Sequence, residues 1–189
     1  ATAEGIAHRP GPRPKSDPVI VGALRHAIKA MKQMRLHYRG RGSGVLSRQR
    51  VSPLGILYGS RNYLLAYNHN QQVGGIRSFA LTNIERVEVL DQVAHRPAEF
   101  SDLKSYTADW FGVFEEKPVD VTLRFTRRAS SDAKNFLFHP NQSTRDLENG
   151  RLEVRFRAGG LKEIAWHIFT WGADVKVITP RKLSQMIPH

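Results

Sequence analysis

Residues 18–31 place apolar side chains at helical spacing. Ile20, Val21, Leu24, Ala27, Ile28 and Met31 make one stripe, while Arg25, Lys29 and Lys32 share another face. Pro18 suits the first turn of such a helix, and Ser16 or Asp17 supplies its N-cap. From residue 33 the period changes to two. Residues 34–38 alternate, 40–44 form a flexible turn, and 47–52 read as a second strand ended by Pro53. Residues 62–67 make a third strand, 71–75 a turn, and 76–81 and 84–90 two more. One helix followed by five short strands predicts a small β-barrel of the Sm or SH3 kind.

Beyond it, Leu103, Tyr106, Trp110, Phe111 and Phe114 make residues 100–114 an apolar segment, helical or mixed, whose aromatics pack rather than act. Pro118 opens a second unit. Val119, Val121, Leu123 and Phe125 alternate, 129–137 can be helical, and Asn149-Gly150 signals a hairpin before alternating Leu152, Val154 and Phe156. Leu161, Ile164, Ala165, Ile168 and Phe169 predict a helix stopped near Gly172. Val175, Val177 and Ile178 predict a last strand, and Thr179-Pro180 precedes a short terminal helix. This β-α-β-β-α-β order is the ferredoxin-like pattern. The expected fold class is therefore α+β. A linker spans 1–17, a barrel 18–95, a helical connector 96–118 and a ferredoxin-like domain 119–189. The linker is rich in Pro, Gly and Ala, and a linker placed first implies that something upstream is absent from this chain.

Charge sharpens the picture. The 189 residues carry 29 Lys/Arg against 17 Asp/Glu, a formal net charge of +12. Ten of those cations lie between Pro18 and Ile84, a stretch without one carboxylate, whereas residues 85–189 hold sixteen Lys/Arg against fifteen Asp/Glu. Charge confined to one third of a chain makes an electropositive surface suited to a polyanion. Arg48 and Arg50, two apart on a strand, share one face, and Arg77 and Phe79 do the same on another. Guanidinium forks hold phosphate and rings stack on bases, so Tyr58, Arg61, Tyr63 and His69 join them as candidate effector- or nucleic-acid-binding residues. For Arg77 the competing reading is an ion pair with Glu85 or Glu88. Arg151, Arg155 and Arg157 read as a solvated face interleaved with Glu153, or as a dimer contact.

Catalysis finds no footing. Cysteine is absent, no histidine pair has metal-ligand spacing, and the serines lack a nucleophile-elbow context. Neither an enzyme, a metal nor a cofactor is expected. No apolar run is long enough to cross a membrane, and the absence of cysteine fits a cytoplasmic protein.

Ser47-Arg-Gln-Arg-Val-Ser-Pro53, Leu57-Tyr58, Asn62-Tyr63-Leu64-Leu65-Ala66-Tyr67, Arg77-Ser-Phe79-Ala-Leu81 and Asn83-Ile84 together resemble the WYL domain. Asn62 stands where that family has its Trp, and Ala80 where an Arg is common. Leu161-Lys-Glu163, Trp166, Trp171-Gly172, Val175-Lys-Val177-Ile-Thr-Pro180 and Leu183 are similar to the WCX extension that follows WYL domains. The resemblance implies the effector-sensing and dimerising region of a bacterial transcriptional regulator. Its winged helix-turn-helix, which would meet promoter DNA, is missing here. The implied effector is nucleic-acid-like, single-stranded DNA among the possibilities, and the implied assembly is a homodimer through residues 96–189. The alternative is an Sm-like module binding RNA or duplex DNA without a small effector.

Overall fold

The computed structural model describes residues 5–9 and 11–187, so residues 1–4 and 10 of the expected linker lie outside it. Two compact units divide the chain at residues 103 and 104.

In the first unit, helix α1 (Pro18–Ala30) starts where Asp17 Oδ1 accepts from the Val19 N–H at 2.8 Å. Five antiparallel strands follow: β1 (Lys32–Arg39), β2 (Leu46–Leu57), β3 (Tyr63–Asn68), β4 (Gly75–Ala80) and β5 (Ile84–Val93), in the sheet order β4-β3-β2-β1-β5. Ile20, Leu24 and Ala27 of α1 pack on Met34, Leu36, Val51, Leu64 and Phe79 from one face of this sheet. Two expectations change. Strand β2 does not stop at Pro53 but runs on to Leu57, because a register shift between Pro53 and Gly55 falls where the missing N–H would otherwise break the ladder. The barrel does not close either. Among the described residues no ladder joins β4 to β5, and the Ala80 N–H at the end of β4 donates to the Tyr38 hydroxyl at 3.3 Å instead. A sheet closes only when its two edges meet in matched register, and here a side chain occupies that place.

A single-turn helix α2 (Leu103–Tyr106) is the only regular element between β5 and the next strand, so the expected helical connector is mostly irregular. The second unit runs β6 (Val119–Phe125), α3 (Arg127–Lys134), β7 (Ser143–Asp146), β8 (Leu152–Ala158), α4 (Leu161–Phe169), β9 (Val175–Thr179), α5 (Arg181–Gln185). Its antiparallel sheet has the order β7-β8-β6-β9. Ala129 and Ala133 of α3, Ile164 and Ile168 of α4 and Leu183 of α5 cover one face, against Val121, Leu123, Val154 and Phe156. Thr126 Oγ1 accepts from the Ala129 N–H, which starts α3 two residues earlier than its apolar pattern suggests. The aromatic segment 110–114 is packing, as its composition implies: Trp110 and Val113 are buried. The Glu163 carboxylate holds it, accepting from the Val113 N–H at 3.0 Å and the Phe114 N–H at 2.9 Å. Trp166 and Phe169 remain 45% and 67% exposed. No described helix is long and apolar enough to cross a membrane.

Candidate nucleic-acid interface

Three strands lay a grid of charged side chains on the sheet face that α1 leaves open. Alternation puts Arg35, His37 and Arg39 of β1 there, and register sets Arg50 opposite Arg35 and Arg48 opposite His37. From the other flank β5 sets Glu88 opposite Arg35 and Arg86 opposite His37. Neighbouring strands stand about 4.8 Å apart and successive rows roughly 6.7 Å, so the cations form a lattice rather than a point. Arg35 Nη1 donates to Glu88 Oε2 at 2.9 Å, His37 Nε2 donates to Oε1 at 3.0 Å, and Arg86 Nη2 lies 3.5 Å from the same oxygen. Arg39 Nε donates to Glu85 Oε1 at 2.6 Å. The Arg35 bond, then that of His37, holds the Glu88 carboxyl below the usual carboxylate range. The run that is acid-free in sequence is thus partly neutralised in space by the strand that follows it.

At the corner of the grid stands a cluster of rings. Arg50 Nε donates to Gln33 Oε1 at 2.7 Å, and the His69 N–H donates to the Arg50 carbonyl at 3.0 Å. His69 Nε2 lies 2.8 Å from Oγ of fully buried Ser52, which also accepts from the His95 N–H at 2.7 Å. The Tyr67 ring meets His69 edge-on at 5.2 Å and His95 at 4.6 Å. Burial first, then the charges of Arg50 and His95, lower the His69 pKa, so the ring is neutral at pH 7. A Ser–His pair invites a catalytic reading, but Arg50 and His95 flank it where a relay would need a carboxylate. Among the described residues no three His, Asp or Glu gather as a metal ion needs.

Residues 19–89 match the WYL domain and residues 117–187 match the WCX domain. The chain carries a WYL domain followed by a WCX domain. No curated protein matches it. Among solved structures it is similar to proteasome accessory factor B/C (PafBC) of Arthrobacter aurescens, at 23% identity and a TM-score of 0.41, over 91% of this chain and 26% of that one. It is also similar to a CRISPR Cas-related protein, at 11% identity and a TM-score of 0.49, over 88% of this chain and 47% of that one. The chain therefore spans about a quarter and about half of those two.

Within the WYL domain the eight residues read from sequence do not form one patch. Arg48, Arg50 and His69 share the grid and its corner. Tyr58, Arg61 and Tyr63 stand at the opposite end of β2 and β3, about 20 Å away by strand rise. Arg77 pairs across the ladder with Ala66 of the α1-covered core, so it belongs to the other face. Its guanidinium holds its own hairpin, donating to the Ile76 carbonyl at 3.0 Å and that of Val73 at 2.7 Å. The competing reading, an ion pair with Glu85 or Glu88, is not what the described contacts show, because Glu85 and Glu88 serve β1. Phe79 is a core residue, 6% exposed and edge-on to Tyr38 at 5.2 Å, and no base can stack on it. Sequence reasoning did not single out Arg35, His37, Arg39, Arg86 and His95, which the structure gathers around Arg48, Arg50 and His69. The first three stand at two-residue intervals, a visible signal; the register that sets them beside β2 and β5 is not.

Proposed function

We propose that this chain is the effector-sensing and dimerising region of a WYL-type transcriptional regulator, and that its WYL domain binds a single-stranded or nucleotide-like polyanion on the open face of β1, β2 and β5. The observation that supports the reading is the junction at Arg50, where a guanidinium grid meets the rings of Tyr67, His69 and His95. Phosphates would take the grid, with charge-assisted hydrogen bonds from Arg48 and Arg50, which face no carboxylate across their strand. A base would meet the rings, as single-strand binders use aromatic platforms. No bond is made or broken. The WCX domain, with Trp166 and Phe169 exposed, would dimerise, and effector binding would bias how paired helix-turn-helix units meet promoter DNA.

The test is anisotropy titration of a labelled single strand, the matching duplex and mononucleotides across a salt series, with the sedimentation of each sample recorded. The single strand should bind best, with a log–log salt slope of about −0.7 per phosphate neutralised, to a protein sedimenting as a dimer. Equal or tighter duplex binding would favour the plain nucleic-acid module, and binding of none would leave a dimerisation scaffold.

The same site predicts a pH dependence. His69 binds its proton less readily here than in an unfolded chain, so the neutral ring is favoured above the ordinary histidine range near 6.5. The strain of protonating it appears as pH falls through and below that range. An anion at Arg50 removes part of the repulsion, so binding takes up protons, and affinity should rise as pH falls below about 6.5 and stay nearly flat between pH 8 and pH 7. H69Q should flatten that profile. A variant that keeps the full pH dependence would place the titrating group elsewhere.

A further inference from the structure

The WCX sheet has an open face of its own. Opposite the helix-covered side, register aligns Arg145 of β7, Glu153 of β8, Arg124 of β6 and Lys176 of β9 in one row across all four strands. The next row holds Ser143, Arg155, Thr122 and Thr179, and beyond it Arg157 stands opposite Asp120. Five cations on this face meet two carboxylates. In sequence Arg151, Arg155 and Arg157 interleave with Glu153 and read as a solvated face; in three dimensions Glu153 is buried beneath Arg124, Arg145 and Arg155.

Glu153 organises the cluster. Its side chain is 1% exposed, while those of Arg124, Arg145 and Arg155 are 41%, 62% and 58% exposed. Oε2 accepts from Arg124 Nε at 3.0 Å, and Oε1 meets Arg145 Nη2 at 3.0 Å and Arg155 Nη2 at 2.7 Å. One carboxylate cannot neutralise three guanidiniums, and each fork keeps donors turned to solvent. Holding one edge of each fork also removes side-chain freedom that a ligand would otherwise have to freeze.

We propose that this open face of the WCX domain is a second polyanion site, taking the phosphodiester backbone of a nucleic acid without reading its bases. Half-buried Ile178, at the bulge beside Lys176, is the one large aliphatic side chain along these rows, which hold no aromatic ring, so the face offers little of the apolar anchor of a protein interface and no platform for base stacking. What it offers is phosphate chemistry: guanidinium forks interleaved with the hydroxyls of Thr122, Ser143 and Thr179. The cations extend across four strands, roughly 14 Å at 4.8 Å per step, which suits an extended chain of phosphates better than one small anion.

The test uses the full chain carrying R48A/R50A, titrated with oligothymidylate of about fifteen nucleotides and with polyglutamate of equal charge, from about 50 to 200 mM salt. Adding R145Q/R155Q should weaken oligonucleotide binding about tenfold at the low-salt end and reduce the salt slope by about 1.4, two phosphate contacts' worth. R145K/R155K, which keeps the charge and loses the fork, should lose only two- to threefold. If R145Q/R155Q disturbs melting, R157Q, outside the Glu153 cluster, should alone lower the slope by about 0.7. An unchanged slope in these glutamine variants overturns the proposal, and so does polyglutamate binding as tightly as the oligonucleotide. The two sites fail separately: R48A/R50A that leaves wild-type affinity intact sinks the WYL site, while R145Q/R155Q reports only on this one.

Discussion

Reversing Arg48 and Arg50 together (R48E/R50E) should weaken single-strand binding at least a hundredfold at moderate salt, with the fold intact. Each side chain stands to lose a charge-assisted hydrogen bond of about 1.5–3 kcal/mol, and each new carboxylate adds repulsion beside a phosphate. A combined loss of about 3–4 kcal/mol is two to three powers of ten in Kd. Both side chains are exposed, and the one described intramolecular bond at stake is Arg50 to Gln33, a contribution of about 1 kcal/mol. R77E is the control. It lowers the net charge by two units against four, on the opposite face of the same sheet, so it should reduce affinity only a few-fold. If R77E is as damaging, net charge and not the grid drives binding; if folded R48E/R50E binds normally, the site is not on β2.

The largest stability effect belongs to Gly159→Ala. Gly159 bridges to Trp110, its N–H donates to the Asp109 carbonyl at 2.8 Å, and its own carbonyl accepts from the Phe111 N–H at 2.9 Å. A Cβ there would lie 2.0 Å from the Glu116 carbonyl oxygen and 2.7 Å from its carbon. Those are backbone atoms, and their segment is held by Glu163 on Val113 and Phe114 and by Glu116 Oε2 accepting from the Leu161 N–H at 3.0 Å. It cannot withdraw without breaking these bonds. An overpacking penalty of about 3 kcal/mol follows, which for a unit of this size lowers its melting temperature by about 12–24 °C. Calorimetry or circular dichroism of the variant reads this directly. A melting temperature within a few degrees of wild type would mean that the 109–116 segment yields freely and the clamp is not structural.

What could be read in the sequence, and what could not, divides along physical lines. Alternation locates strands where one face is buried, as in β1, β6 and β8, whereas β3 and β4 bury residues of both faces and are legible only as short apolar runs between turns. Strand β7 has none, because Ser143, Thr144, Arg145 and Asp146 are all exposed at a sheet edge. Pro53 misleads for a different reason, since a proline ends a strand only where its N–H is needed. The candidate site suffers most from register. Arg35 and Glu88 are 53 residues apart, and only the β1–β5 ladder reveals that the acid-free run has its acids supplied from outside. Parity likewise placed Arg77 and Phe79 together on one face, but burial decides that this face is the core.

Glu88 occupies the place a phosphate would take between Arg35 and His37. In the ligand-free protein those donors are already satisfied by a tethered anion present at high effective concentration. A lone phosphate must displace that internal competitor to gain anything at Arg35, and its net advantage there is small. A longer polyanion reaches Arg48 and Arg50 as well, where no such competitor sits opposite, and so captures the surplus. On the proposed reading the carboxylate would act as a threshold, screening out the abundant small phosphates of a cell and leaving the grid responsive to length.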